Sequence, residues 1–245
     1  MKFVGLIPSR YASSRLPGKP LIEFNGLPTF AHTYFRSSMS KLDELYLCTD
    51  DKRIYNKAND LGIKTLMTST KHKNGTERCY EASTILELES SDVIVDIQGD
   101  EPLIKPESIN NLIKNFDNSK HEILMTHIRI TTKNNKNFVK VVLDRNEKVL
   151  YLSRLDIPYE FREKTTLFKQ LGLIAFKNNI LEKFYNLEET TLEKAEGIEL
   201  LRGLYNNIKI NSVEINDDSI SLDTKDDIKK IEKLFAKDSL FKKYI

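Results

Sequence analysis

FVGLIPSRYASSRLPGKPL, residues 3–21, joins a short apolar run to a segment that carries Arg10, Arg15 and Lys19. The apolar run predicts a buried β-strand, and the prolines and glycine after it predict a loop. Three cations within ten residues are more than a simple surface turn needs. The stretch therefore predicts a strand that leads into a loop for a negatively charged ligand, with a plain basic surface loop as the open alternative.

Compact apolar runs of the same kind recur through the first half of the chain. They occupy residues 3–7, 45–48, 63–67 and 93–97, and helical patterns lie near 29–40, 51–61, 76–89 and 106–116. Continuous apolar strands that alternate with amphipathic helices are typical of a parallel sheet covered on both faces. The sequence thus predicts an α/β fold with a mostly parallel central sheet and helices on both faces.

The second half of the chain has a different pattern. Strands are predicted at 123–130, 138–143, 148–152, 168–177 and 208–215, and helices at 178–186, 191–206 and 224–235. Short polar connections between the first of these strands predict a small antiparallel lobe. No linker is evident, so we expect one domain over residues 1–245, and the Asn/Lys stretch 131–137 reads as a surface loop.

Composition restricts the class of protein. The 245 residues include 40% hydrophobic side chains, enough for a core, and the net charge is only +2, unlike most nucleic-acid binders. The two cysteines, Cys48 and Cys79, form no CxxC pair and predict ordinary thiols in a reducing compartment. No run of about 18 apolar residues occurs, so we expect a soluble, cytoplasmic protein without membrane insertion.

Two carboxylates are candidates for a metal site. In DVIVDIQGDEPLI a buried strand ends before Asp100, at the sheet edge where the basic loop also starts, and in SISLDTKDD an apolar segment ends at Asp223. Carboxylates beside a polyphosphate suit Mg²⁺, which prefers oxygen ligands. Each residue has an open alternative. A turn that ends the strand explains Asp100 equally well, and a helix cap explains Asp223 better.

A further turn precedes a predicted helix in KHKNGTERCYEAS. Asn74-Gly75 is a strong turn signal and Thr76 then starts the helix, whose free backbone amides would suit a base or a phosphate. The sequence has neither GxxxxGK[ST] nor GxGxxG. His32, His121 and His127 have no metal-ligand spacing and are interpreted as structural.

Together these stretches resemble the 3-deoxy-manno-octulosonate (Kdo) cytidylyltransferases, the CMP-Kdo synthetases. The segments that carry the resemblance are IPSRYASSRLPGKPL (7–21), CTDD (48–51), MTSTKHKNGTER (67–78), VDIQGDEPLI (95–104), FVKVVLD (138–144), LYLSRLDIPY (150–159), LGLIAF (171–176), IELLR (198–202) and LDTKDDI (222–228). They span the whole chain in order, and QGDEP with RxxSxRLPGKPL is specific among nucleotidyltransferases. The resemblance implies a Rossmann-like nucleotide-diphospho-sugar transferase fold.

The resemblance also implies the chemistry and the roles of particular residues. CTP and a 3-deoxy-octulosonate would give the CMP-sugar, for lipopolysaccharide synthesis, and pyrophosphate, with Mg²⁺ as cofactor in a homodimer. Residues 1–120 would mainly bind the nucleotide, and residues 121–245 would mainly bind the sugar and form the dimer. The implied catalytic residues are Lys19, Asp100 and Asp223, the last two as metal ligands; the implied nucleotide-binding residues are Arg10, Arg15, Lys19, Thr49, Asp50, Gly75, Thr76 and Arg78, with Glu77 beside them; the implied sugar-binding residues are Gln98, Arg154, Gln170 and Glu199.

The sequence departs from the family pattern on the sugar side. Gln170 replaces a histidine, Leu200 replaces a glutamine, and the segment between Pro158 and Leu171 is shorter than usual. Loss of a polar partner at a site that reads hydroxyls changes discrimination. The acceptor could therefore be Kdo, its 8-amino analogue or another keto-sugar acid, and an inactive sugar-nucleotide-binding protein is the remote alternative.

Overall fold

The computed structural model describes residues 1–13, 15–117, 119–217 and 219–244. Within these ranges nine strands form one mixed sheet, and two short strands, Glu23–Phe24 and Leu27–Pro28, form a separate two-stranded sheet. The strands are β1 (Phe3–Pro8), β2 (Glu23–Phe24), β3 (Leu27–Pro28), β4 (Glu44–Thr49), β5 (Thr65–Met67), β6 (Val93–Ile97), β7 (Ile123–Ile130), β8 (Lys140–Leu143), β9 (Val149–Ser153), β10 (Leu167–Lys177) and β11 (Ile210–Glu214). The helices are α1 (Thr29–Ser38), α2 (Lys52–Asp60), α3 (Gly75–Ile85), α4 (Pro106–Asn115), α5 (Asn178–Tyr185), α6 (Thr191–Glu196), α7 (Leu200–Tyr205) and α8 (Lys225–Phe235).

The sheet is parallel where the first half of the chain builds it. Its main path has the order β11-β7-β10-β6-β1-β4-β5, and β6, β1, β4 and β5 pair in parallel. The long strand β10 runs antiparallel between β6 and β7, and β8 and β9 extend it as an antiparallel lobe. The predicted α/β fold with a small antiparallel lobe is confirmed.

Helices cover both faces of this sheet. On one face α1, α2 and α4 bury side chains such as Phe30, Ile54 and Leu112 against β1, β4 and β6. On the other face α3, α5 and α7 bury side chains such as Ala82 and Phe184. The central strand β6 is buried along its whole length, which explains its continuous apolar run.

Local differences from the predicted elements have clear causes. The helix expected over 191–206 is wrong: α6 ends at Gly197, which has φ +62° in the left-handed region, and α7 starts anew at Leu200. The small β2–β3 hairpin, turning at Asn25-Gly26, was not predicted because its strands have two residues each. Cys48 and Cys79 are free, as expected, but fully buried. No helix in the described ranges has the length and apolarity to cross a bilayer.

Candidate active site

The carboxyl ends of three neighbouring parallel strands meet at one edge of the sheet. Strand β1 leads there into Ser9 and Arg10, β4 ends at Thr49, and β6 leads into Gln98. Because β6, β1 and β4 are adjacent, the segments that follow them line one crevice. The predicted juxtaposition of the basic loop with QGDEP is therefore present.

A cavity of about 270 Å³ lies in this crevice. Its lining is Pro8, Ser9, Arg10, Ser13, Arg15, Lys19, Pro20, Asn74, Gly75, Arg78, Gln98, Gly99, Asp100, Glu199 and Asp223. Four cationic side chains thus face three carboxylates. Such a mixture can hold a polyanion and a metal cation side by side.

The centre of the cavity is an ion-pair cluster of Lys19, Arg15, Asp100 and Asp223. Lys19 Nζ donates to Asp100 Oδ2 and, at 3.1 Å, to Asp223 Oδ1. Arg15 Nη2 donates to the same Asp223 Oδ1 at 2.8 Å. Burial acts to lower the pKa of Lys19, but the charges of the two carboxylates outweigh it and the pKa is raised. Lys19 is therefore firmly cationic.

A small hydrophobic cluster brings the members of the ion-pair cluster together. Leu16 lies in the basic loop, Leu103 follows Asp100, and Leu222 precedes Asp223. Their companions in this apical cluster are Phe24, Ile231 and Phe235. Leu222 N also donates to Asp100 O at 2.8 Å. These three leucines come from distant segments, and their packing brings together the charged residues that lie near them in the sequence.

The backbone before Lys19 sets the direction of its side chain. Gly18 has φ +73°, and its N–H donates to Tyr11 O at 2.9 Å, which closes the loop. A Cβ at this position would lie 3.1 Å from the Tyr11 ring. Glycine is required here, since an L-residue would meet both an unfavourable φ and the ring.

Helix α3 presents its N-terminus to the same cavity. Asn74 caps the helix, with its side chain accepting from Glu77 N at 2.8 Å, and Gly75 is the first helical residue. Arg10 Nη1 donates to Lys73 O at 3.0 Å and so ties the basic loop to this turn. Free N–H groups and the positive end of the helix dipole favour an anion at this place.

Arg78 on α3 is a buried anchor rather than a free cation. It is 1% exposed, and its guanidinium donates to Thr68 Oγ1, to Ser69 O at 3.3 Å and to Asp50 Oδ2 at 2.8 Å. Thr49 is fully buried at the end of β4. Of the predicted nucleotide-binding residues, Thr49, Asp50 and Thr76 do not line the cavity, while the others do.

Gln98 on the sugar side is held in one orientation. Its Nε2 donates to Asp96 Oδ1 at 3.0 Å, and a Cβ on Gly172 would lie 2.5 Å from its Cγ. Asp96 is 1% exposed, and burial, followed by the charge of Glu199, raises its pKa to about 8. The carboxyl is thus neutral at pH 7. Asp96 was not among the predicted site residues, although an acidic residue inside the run VIVDI was a signal.

Two predicted sugar-binding side chains have buried acceptor oxygens that lack a hydrogen-bond partner. They are Glu199 Oε2 and Gln170 Oε1. Burial raises the pKa of Glu199, which lines the cavity, whereas Gln170 does not line it. Leu200 is 4% exposed, packs in the core beneath α7 and, like Gln170, does not line the cavity.

Arg154 lies apart from the other predicted site residues. Its guanidinium donates to three backbone carbonyls, those of Glu196, Lys136 and Gly197. It lines a separate cavity with exposed residues such as Leu155 and Tyr159. The sugar-binding role that the resemblance implies for Arg154 would require its guanidinium to give up these hydrogen bonds to carbonyls.

The residues at the centre of the cavity fit a divalent cation. One ammonium reaches oxygens of both Asp100 and Asp223, so the two carboxylates can share a single cation. Within the described residues, no group of three or more His, Cys, Asp or Glu could hold a metal alone. A pair of carboxylates completed by phosphate oxygens and water is the arrangement Mg²⁺ uses with nucleotides. Mg²⁺ itself stays a prediction.

Comparisons with known proteins agree on one family. A family model described as cytidylyltransferase matches residues 4–210. The 3-deoxy-manno-octulosonate cytidylyltransferase of Lawsonia intracellularis is 40% identical and covers 96% of this chain and 94% of its own. The one from a Nitratiruptor species is 37% identical and covers 94% and 98%.

Solved structures give the same answer for the fold. The CMP:2-keto-3-deoxy-manno-octonic acid synthetase complexed with CTP superposes with a TM-score of 0.91 at 32% identity, and covers 97% of this chain and 99% of its own. A cytidylyltransferase from Leptospira borgpetersenii has a TM-score of 0.66 at 18% identity, covering 97% and 88%, and shows the fold alone.

Proposed function

The chain belongs to the cytidylyltransferase family, among the 3-deoxy-manno-octulosonate cytidylyltransferases, and from this membership we propose its reaction. It transfers CMP from CTP to Kdo and releases pyrophosphate. The anomeric hydroxyl of the sugar attacks the α-phosphate in line, the bond from the α-phosphate to the pyrophosphate breaks, and the hydroxyl proton is lost. The protein contributes chiefly positioning and charge neutralisation.

Each wall of the cavity has a part in this reaction. Arg10, Lys19 and the N-terminus of α3 hold the triphosphate, because they offer charge-assisted and backbone donors on one side of the crevice. Asp100 and Asp223 hold Mg²⁺, which when bound neutralises charge that develops on the α-phosphate. Gln98 faces the acceptor with the orientation that Asp96 gives it.

The observation that supports the proposal most strongly is the ion-pair cluster. Two carboxylates and two cations from three distant stretches of the sequence meet in one cavity, at the carboxyl ends of parallel strands. Charged groups gathered in a cleft in this way are typical of sites that carry out chemistry. A homodimer and a cytoplasmic location stay predictions.

A second acceptor is favoured by one particular observation. Glu199 Oε2, on a residue that lines the cavity, is a buried hydrogen-bond acceptor without a partner, and burial without a partner costs free energy. A sugar with an additional strong donor would satisfy it better than Kdo. The 8-amino analogue of Kdo, which carries an ammonium in place of a hydroxyl, is such a sugar.

Pyrophosphate release tests the function and the acceptor together. The protein is incubated with CTP and Mg²⁺, and kcat/KM is measured separately with Kdo and with 8-amino-Kdo. We expect release with Kdo. Release with the amino sugar alone would assign the enzyme to that acceptor, and release with neither sugar from folded protein would contradict the proposed function.

We predict that Lys19→Ala raises the KM for CTP by about tenfold and the KM for the sugar less, because a charge-assisted contact to the triphosphate is lost. Initial rates at varied CTP and varied sugar measure the two effects. Lys41→Ala, at an exposed lysine in the loop before β4, is the control. A larger change for the sugar than for CTP would remove Lys19 from the triphosphate site.

A further inference from the structure

The cations of the basic loop differ in what they contact. Lys19 Nζ bridges Asp100 and Asp223, and Arg15 Nη2 reaches Asp223 Oδ1 at 2.8 Å. Arg10, in the same loop, donates to the backbone carbonyl of Lys73 instead. Two of the three loop cations therefore sit on the two carboxylates proposed to bind the metal, and one does not.

These contacts balance the charge within the ion-pair cluster. Two positive side chains face two negative ones, so the carboxylates carry no excess charge to attract a divalent cation. The Lys19 side chain is 14% exposed, so its ion pairs are screened only in part, whereas Arg15 is 56% exposed and its pair is weaker. A metal ion that approached the carboxylates would meet the like charge of both cations at close range.

The triphosphate offers these cations a competing anion in the same cavity. Arg15, Lys19 and the N-terminus of α3 all line it, so a nucleotide phosphate placed there lies beside the loop cations and the carboxylates at once. A cation that turns toward the phosphate leaves oxygens of Asp100 and Asp223 free. The change requires only side-chain movement of long, rotamer-rich residues.

We propose that Arg15 and Lys19 are resident counter-ions of the metal site, which keep divalent cations off Asp100 and Asp223 until a nucleotide triphosphate draws the two side chains away. Metal and nucleotide binding are then coupled, and the site fills only when both are present. The inference rests on the proposed function for the identity of the nucleotide.

The first test is metal binding without nucleotide. Mn²⁺ is the probe, since it takes oxygen ligands as Mg²⁺ does and its free form is quantified by electron paramagnetic resonance. We expect Lys19→Gln to bind Mn²⁺ about tenfold more tightly than the unaltered protein, and Arg15→Gln about threefold more tightly. Arg10→Gln is the matched control and should leave Mn²⁺ affinity unchanged.

The second test is CTP binding in the presence of EDTA, measured by calorimetry. Lys19→Gln and Arg10→Gln should both weaken the binding of CTP, because both remove a cation that faces the triphosphate. These two variants are thus separated by pattern: Lys19→Gln gains metal affinity and loses CTP affinity, whereas Arg10→Gln only loses CTP affinity. Thermal melting checks that each variant is folded. Should Lys19→Gln not fold, the Mn²⁺ affinity of Arg15→Gln, a substitution at an exposed side chain, tests the inference.

Two results would overturn the inference. One is Mn²⁺ affinity in Lys19→Gln and Arg15→Gln that equals or falls below that of the unaltered protein. The other is tightened Mn²⁺ binding that persists in Asp100→Asn/Lys19→Gln, since the metal would then lie elsewhere. Neither measurement involves the sugar or turnover, so failure here is distinct from failure to release pyrophosphate.

Discussion

Asp100→Asn lowers kcat for CMP transfer by about a thousandfold, which corresponds to about 4 kcal/mol of lost transition-state stabilisation. The amide keeps the size of the side chain and removes the charge that faces Lys19 and the proposed metal. Lys19 keeps its second carboxylate, Asp223, so the local packing should survive. Single-turnover rates at saturating CTP, Mg²⁺ and sugar measure the effect, and thermal melting should show a shift of only a few degrees.

The control for this variant is a carboxylate of the same neighbourhood outside the cavity. Asp226 is exposed in the first turn of α8, three residues beyond Asp223, and does not line the cavity. Asp226→Asn should retain nearly full activity. Turnover of Asp100→Asn within tenfold of the unaltered enzyme would show that the carboxylate has no metal-binding role.

Asp96→Asn raises the stability of the protein at alkaline pH, by an amount on the order of 3 kcal/mol or about 10 °C in Tm. Asp96 has a folded-state pKa of about 8, raised from 3.8 chiefly by burial. Below about pH 4 the carboxyl is protonated in both the folded and the unfolded state, so its ionisation does not change the free energy of unfolding. Between about pH 4 and pH 8 the unfolded chain ionises while the folded chain must keep the proton, so stability is lost as the pH rises.

Asparagine at this position stays neutral in both states and can accept the same hydrogen bond from Gln98. We therefore expect the difference in Tm between Asp96→Asn and the unaltered protein to grow from pH 5 to about pH 8 and then level off. Differential scanning calorimetry across this range measures it. A difference that does not vary with pH, or a variant less stable throughout, would contradict a buried neutral carboxyl.

Asp117→Asn is the control with the opposite sign. Asp117 lies just beyond α4 with its side chain 43% exposed, and hydrogen bonds from the side chain and backbone of Ser119, with an ion pair to Lys120, lower its pKa to about 2. This carboxylate contributes stability above about pH 4 that is lost on acidification toward pH 2. Its amide variant should therefore be slightly less stable than the unaltered protein at neutral pH.

Comparison of the two halves of the site shows where sequence reasoning succeeds. Hydrophobic runs located β1, β4 and β6, and the rule that ligands bind beyond the carboxyl ends of parallel strands placed Arg10 and Asp100 at one edge. Both inferences need only local periodicity and the direction of the chain. The family motifs then indicated the reaction. They can be recognised from the sequence because each is a short, continuous stretch.

Sequence reasoning was less successful where side chains from distant segments compete for the same partners. Arg154 stands in a family motif, yet its guanidinium is taken up by three backbone carbonyls outside the cavity. Leu200 stands where a polar residue was expected, yet the turn at Gly197 begins a new helix that buries it. The contacts of Arg154 depend on carbonyls of distant segments, and the burial of Leu200 depends on the packing of α7 against the sheet.

The sequence by itself determined most of the strands and helices along the chain, the class of fold and the stretches that carry charge. These properties follow from local periodicity, turn chemistry and short motifs. Only the tertiary structure decided that Arg15 and Lys19 rest on Asp100 and Asp223, and that Asp96 is a buried neutral carboxyl behind Gln98. The physical reason is that ion pairing and desolvation depend on distances across the fold, here set by the leucines of the apical cluster and the packing of β6.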